Sequence, residues 1–419
     1  MVRTTEGAGG GAGHDQVPGP PADPAPGPAG RGRTSWGAVA GLMGAGVVAA
    51  AQIGGAAAAL PVLDDEFGLG STTAAWYLST VSALGAAGGI LLGWLGQTWG
   101  FGRQVRLGLL AIVVADLGGA VVDSLAGLLV ARVAEGLGLV MVILAAPPLL
   151  SEVSAPAHRR LVAGTWGAYM PVGSGLAALL VPPAIALVGW RGASVADACL
   201  AAAVLLVVLR WVPSVAGRGR ASVAGLLGAV RSPSVLLISV VFGLYSSQYL
   251  AVVGLLPAAL VTGEGLPVTT AGLVGAVVFL ANAPGNLLGA YLLHRGARLR
   301  WVIPAGCAGM AVTVWGVLDP AFPLVPRVAS AIGFSFVAGL VPSALFAGLA
   351  AVSGGTRSAG AAIGLVTQGS GIGQLLGPPL VVAVGTAVAV GAAQSALVCC
   401  FAGLVALGAV LLPRGERIR

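Results

Sequence analysis

GSGLAALLVPPAIALVG, residues 173–189, returns 196 positions later as GSGIGQLLGPPLVVAVG, residues 369–385. The Gly-Ser-Gly opening, the Leu-Leu pair, the Pro-Pro pair and the closing Val-Gly all keep register. The same shift of 196 pairs Leu60-Pro61 with Leu256-Pro257, and Gly89 and Gly93 with Gly285 and Gly289. A shift of 197 pairs Thr72-Thr73-Ala74 with Thr269-Thr270-Ala271. One offset serving three separated regions marks an internal duplication, and the paired prolines argue against chance agreement in Gly/Ala/Leu-rich sequence.

Both copies belong in a bilayer. Of 419 residues, 57% are hydrophobic and 8% charged, whereas a soluble domain is about one quarter charged. One crossing takes ~20 mostly apolar residues, and in lipid every backbone amide must be paired within its own element, so each crossing is a helix. Twelve spans are predicted: 36–60, 74–96, 104–122, 125–150, 161–188, 190–211, 234–259, 269–293, 301–318, 324–351, 358–383 and 387–411. The domain organisation follows: a disordered cytoplasmic tail (1–35), an N-terminal six-helix bundle (36–211), a cytoplasmic linker (212–233), a C-terminal six-helix bundle (234–412) and a basic tail (413–419). Six helices separate equivalent positions, so the two copies share one orientation, the parallel-repeat arrangement. The 68 glycines suit close helix packing in lipid. Cys199, Cys307, Cys399 and Cys400 all fall in apolar spans with no metal or redox spacing and are expected to be buried free thiols. No metal or cofactor site is predicted.

Orientation comes from arginine, since the chain has no lysine. With the N-terminus inside, eighteen arginines fall on inner segments: Arg3, Arg31, Arg33, Arg103, Arg106, Arg159, Arg160, Arg210, Arg218, Arg220, Arg231, Arg295, Arg298, Arg300, Arg357, Arg414, Arg417 and Arg419. Only Arg191 and Arg327 lie at outer ends, and Arg132 lies within a span. The positive-inside rule therefore predicts two cytoplasmic termini in the plasma membrane and an even number of crossings. The first outer loop is expected to be acidic, with Asp64, Asp65 and Glu66. The net charge of +7 follows topology and gathers on no single face, so no nucleic-acid partner is expected.

Several motifs carry a resemblance. After the second span, Gly93, Gly100, Arg103 and Arg106 occupy or lie near positions of a loop signature whose Asp and Arg are here Gln97 and Thr98. In the fourth span stands Arg132-x-x-Glu135-Gly136-x-Gly138. The eleventh carries Gly373, Gly377 and Pro378, while the fifth has Val181-Pro182-Pro183 in the corresponding place. The sequence from 36 to 412 thus resembles the major facilitator superfamily. Trp166 to Gly173, Gly243 to Tyr249 and Pro257 are similar to its cyanate and nitroimidazole permease-like branch. The resemblance implies two six-helix bundles, alternating access, and a central cavity lined by helices one, four, seven and ten.

Charged groups in hydrocarbon cost upward of ~2.5 kcal/mol each, which makes every one a functional candidate. Glu135, Asp116 and Asp197 are the candidate proton-coupling residues. Arg132, ~10 Å inside its helix end, is at the depth of Asp116 and shares a face with Glu135 at i,i+3. Two readings stand open: a fixed ion pair joining helices, or an arginine facing the central cavity that attracts an anion while Glu135 takes up a proton. With Arg132, the candidate solute-binding residues are Gln52, Tyr169, Tyr245, Gln248, Tyr249, Asn282 and Gln368, among which Tyr245, Gln248 and Tyr249 share one helical face. Each amide also reads as packing glue between helices. Gly93, Gly100, Arg103, Pro171, Gly377 and Pro378 are the candidate gating positions, as hinges or simple kinks.

The expected function is secondary active transport of a small organic solute, anionic if Arg132 contacts it, coupled to protons, by a monomer in the lipid bilayer. No Gly-x-x-x-x-Gly-Lys-(Ser/Thr) loop is present to spend a nucleotide. Proton-antiport efflux of drugs or metabolites is the alternative within transport. An intramembrane enzyme is disfavoured because the three histidines, His14, His158 and His294, lie in the tail and inner loops.

Overall fold

A computed structural model describes residues 33–213, 223–319, 321–352, 359–387 and 391–412. Most of the predicted tail 1–35, the centre of the linker, Arg357 and the tail 413–419 lie outside the described residues. Among the described residues, ten helices are long and apolar enough to cross a bilayer. Two physical considerations raise this to twelve crossings. Phe101–Ala120 is a 20-residue helix that carries three charges, Arg103, Arg106 and Asp116. Tyr169–Trp211 runs for 43 residues, ~65 Å at 1.5 Å per residue and about twice the hydrocarbon thickness. Gly189 breaks it with φ 72° and ψ 169°, a conformation that glycine adopts without penalty.

The membrane helices are α1 (Trp36–Phe67), α2 (Gly70–Thr80 and Ala83–Trp99), α3 (Phe101–Ala120), α4 (Leu125–Val153), α5 (169–188) and α6 (190–211). The second half comprises α7 (Pro233–Glu264, with a π-turn at Leu250–Gly254), α8 (Val268–His294), α9 (Leu299–Leu318), α10 (Leu324–Ala338 and Leu340–Val352), α11 (Ala359–Ala387) and α12 (Ala392–Leu411). Local chemistry sets the ends. Ser124 caps α4 by accepting from the Gly127 N–H at 3.3 Å, Ser232 precedes Pro233 at the first turn of α7, and Gly68 closes α1 in the left-handed conformation.

Several features differ from expectation. α1 runs on to Phe67, so Asp64, Asp65 and Glu66 form its last turn instead of a loop. The second span starts at Gly70 and is interrupted at Val81-Ser82. The thiols are free but not all buried: Cys307 is buried, Cys399 is half-buried, and Cys199 and Cys400 are exposed on the outside of the bundle.

The halves meet along two equivalent seams, α2 against α11 and α5 against α8. The duplication maps α2 onto α8 and α11 onto α5, so these are one contact made twice. In the first seam a methyl on Gly89 would lie 2.9 Å from the Gly364 carbonyl oxygen, and one on Gly93 2.6 Å from that of Gly360, so backbone lies on backbone. Within the first half α1 packs on α5: Ser174 Oγ donates to the Ala50 carbonyl at 3.0 Å, and a methyl on Gly54 would overlap the Ser174 carbonyl. The start of α1 is tied to the connection after α4, with the Ser35 N–H bonded to the Val153 carbonyl at 3.0 Å and Thr34 Oγ1 2.8 Å from His158 Nδ1.

Candidate functional site

The ionisable candidates converge. Seven residues into α4, Arg132 and Glu135 project from one face and form an ion pair. Arg132 Nη1 also donates to the Gln52 backbone carbonyl at 3.0 Å, and its guanidinium lies 5.3 Å from the centre of the Tyr77 ring, a cation–π distance. Gln52 Nε2 donates to Asp116 Oδ2 at 3.3 Å. Asp197 of α6 completes the group, with Oδ2 3.8 Å from where a methyl on Gly55 would stand.

These side chains line a cavity of about 60 Å³ together with Trp190 and Ser194. Arg132, Asp116 and Glu135 are 3%, 5% and 7% exposed, so their charges are shielded from bulk water. Three carboxyl groups face one guanidinium, and Nε and Nη2 of Arg132 are buried without a hydrogen-bond partner among the described residues. Every wall residue comes from α1–α6. Of the two readings open for Arg132, the ion pair with Glu135 is present, and the cavity beside it is lined by the first half alone, with polar partners on α1, α2 and α3.

Trp190 closes this cavity toward the acidic end of the bundle. Its indole N–H donates to Glu66, and Arg191 beside it donates to Glu66 at 2.8 Å and to Asp123 at 2.7 Å. Arg327, the other exception to the arginine pattern, pairs with Glu264 at the matching end of the second half. Both outlying arginines therefore have carboxylate partners.

The second half carries a polar cluster without charge. Tyr245 and Tyr249 stack at 5.9 Å along α7, Tyr249 Oη lies 3.2 Å from Ser335 Oγ, and Asn282 Nδ2 donates to the Ser335 carbonyl at 3.0 Å. Gln248 is wholly buried, and neither atom of its carboxamide has a hydrogen-bond partner among the described residues. The shift of 196 makes Gln248 the counterpart of Gln52. One glutamine is held by a carboxyl group and the other is unsatisfied.

Two predicted solute residues lie elsewhere. Tyr169 stacks on Trp166 at the start of α5. Gln368 bridges the first seam, accepting from the Ile90 N–H at 3.3 Å and donating to the Ala87 carbonyl at 3.5 Å. Among the gating positions, Gly93 lies in the first seam, and Gly377 packs on the Ser247 carbonyl with Pro378 buried beside it. Gly100 makes the α2–α3 turn at φ 85°, with Arg103 exposed on the following turn. Pro171 sits in the first turn of α5, just past the turn at 167–168 that separates it from a short helix, Arg159–Trp166. Sequence reasoning missed Tyr77 and Trp190, because aromatic residues near predicted helix ends read as interfacial anchors.

The profile of the Major Facilitator Superfamily matches residues 42–378. Over 148 residues, 35% of this chain and 32% of the relative, the sequence is 30% identical to the galactose-proton symporter of Escherichia coli (strain K12). Over 171 residues, 41% of this chain and 36% of the relative, it is 29% identical to the arabinose-proton symporter of the same strain. The alignments thus span about a third of the length of these relatives. The crystal structure of a D-xylose-proton symporter superposes on 92% of this chain and 99% of its own length, with a TM-score of 0.74 at 14% identity, which is a likeness of fold. By its family profile, its twelve helices and its paired halves, the chain belongs to the Major Facilitator Superfamily and is a membrane transporter.

Proposed function

We propose that the protein is a proton-coupled secondary transporter of a small polar organic solute, working by alternating access of the bundles 36–211 and 234–412 about the linker 212–233. The observation that carries this reading is the cavity of the first half, where three carboxyl groups surround one guanidinium. With Glu135 and Asp116 both ionised, one buried negative charge would lack a compensating cation, at a cost of several kcal/mol, and a bound proton relieves it. The partial alignment with sugar-proton symporters supports the same coupling. Glu135 and Asp116 are the proton sites, and Asp197 stands at the same cavity. The solute site is the uncharged cluster of Tyr245, Gln248, Tyr249 and Asn282, where the unpaired amide of Gln248 offers both a donor and an acceptor. The eighteen inner arginines support cytoplasmic termini and the plasma membrane as location.

A second reading, an anionic solute as in the cyanate and nitroimidazole permease-like branch, is favoured by Nε and Nη2 of Arg132, which have no hydrogen-bond partner among the described residues. Protonation of Glu135 would release Arg132 to an anion. The test is proteoliposomes loaded with a pH-sensitive dye and offered galactose, arabinose, xylose, cyanate, benzoate and cationic dyes, with Glu135→Gln and Arg132→Ala in parallel. A neutral sugar that moves protons in wild type but not in Glu135→Gln supports the first reading. An anion whose signal Arg132→Ala abolishes supports the second, a cationic dye driving protons the opposite way supports antiport efflux, and proton movement with none of the probes sinks proton coupling for these solute classes.

A further inference from the structure

The helix that bears the ion pair touches the interruption of α2. A methyl on Gly136, adjacent to Glu135, would overlap the Val81 carbonyl oxygen, so α4 rests directly on the backbone of the Val81-Ser82 break. One turn before the break Tyr77 lies over the Arg132 guanidinium. On the other side Ser82 Oγ donates to Gln374 Oε1 of α11 at 2.7 Å. Gln374 Nε2 donates to Ser370 Oγ at 3.4 Å, and the hydroxyls of Ser370 and Ser246 are 2.7 Å apart. Ser246 lies on α7 between Tyr245 and Gln248. A hydrogen-bonded path therefore runs from Ser82 of α2 through α11 to the helix that carries the solute cluster, and the packing of Gly136 on Val81 joins its start to the helix that bears the ion pair.

The interruption gives this path its use. The regular helix is interrupted between Gly70–Thr80 and Ala83–Trp99, with a tighter turn from the Ser82 N–H to the Ser79 carbonyl, while Ala83–Trp99 is fixed to α11 along the Gly89 and Gly93 seam. A change in the Arg132–Glu135 pair is felt by Tyr77 and Val81 first, and passes to the second half at Ser82. We propose that Ser82 and Gln374 are positioning residues that transmit the protonation state of the first-half cavity to α7. This rests on the proton-coupled reading above. The titratable and charged groups facing Glu135 are Arg132 on its own helix, Tyr77 of α2, Asp116 of α3 and Asp197 of α6, while α1 and α5 present no titratable group to the cavity.

The test needs no solute. Spin labels at Thr98→Cys on α2 and His294→Cys on α8, both exposed at the arginine-rich end, are placed in a background with all four native cysteines replaced by alanine. Electron–electron distances between the halves are then compared in detergent at acid and at alkaline pH. The expected result is a pH-dependent shift in the otherwise unmutated protein, its loss in Ser82→Ala and in Gln374→Leu, and its return in Ser82→Thr, which keeps the hydroxyl. Gln374 is only half-buried, so Gln374→Leu carries the prediction if Ser82→Ala does not fold. A full shift retained in Ser82→Ala or Gln374→Leu overturns the inference and leaves proton coupling intact. No pH response in the otherwise unmutated protein overturns proton coupling itself, and this inference with it.

Discussion

Gln52 and Gln248 occupy the same register of α1 and α7, yet replacing each by methionine should move stability in opposite directions. Methionine matches glutamine in length, so neither change opens a cavity. Gln248 is wholly buried with its amide unpaired, and burying an unpaired amide costs about 1–3 kcal/mol by protein substitution data. Gln248→Met removes that cost and should stabilise by the same about 1–3 kcal/mol. Gln52→Met removes the bond to Asp116 and should destabilise, since an intramolecular hydrogen bond contributes about 0.5–1.5 kcal/mol. For a half of this size 1 kcal/mol corresponds to about 2–4 °C in the midpoint. Tryptophan fluorescence on a thermal ramp in detergent reads both shifts. Transport should fall in both variants, and Gln248→Met should weaken the apparent solute affinity roughly tenfold, the worth of one lost hydrogen bond. A lowered midpoint for Gln248→Met, or wild-type transport by it, refutes the assignment of Gln248 to the solute.

Gly93→Leu places a side chain where even a methyl would lie 2.6 Å from the Gly360 carbonyl oxygen; transport should be lost while the protein remains monodisperse by gel filtration. Arg132→Met and Glu135→Met each break a buried ion pair and should cost about 3–5 kcal/mol. The double variant should be more stable than either single one, a coupling that thermal midpoints of the three will read. Trp190→Phe removes the indole bond to Glu66 over the cavity and should raise passive proton leak into dye-loaded vesicles without solute, with little effect on the midpoint.

The membrane class, the twelve crossings and the duplication were legible because they rest on hydropathy and on register, which a single sequence carries. Gly189 was legible as a boundary because the apolar pattern restarts at Trp190. The break at Val81-Ser82 was not, since no proline or glycine occupies it, and the close approach of α4 to the Val81 carbonyl at Gly136 is a contact between helices that no local pattern carries. The π-turn at Leu250–Gly254 likewise has no local signal. Asp116, Arg132, Glu135 and Asp197 stood out by charge in an apolar setting, and the fold brings all four to one cavity. The uncharged polar residues were harder. Nothing in Gln368 or Gln248 alone says that the first is a staple between halves and the second is unsatisfied, because that depends on which backbone faces each amide.

The packing of α1 on α5 has a consequence for biogenesis. Ser174 reaches Ala50 across 124 residues of chain, while the start of α1 is pinned to Val153 and His158, so the packing of α1 stays incomplete until four more helices have left the ribosome. The duplication repeats this order, since α7 packs on α11 through Gly243 and Gly369. Neither half is therefore complete before its fifth helix is inserted, and a nascent chain stalled after α4 holds Arg132 and Glu135 with the α5 and α6 walls of their cavity still unmade.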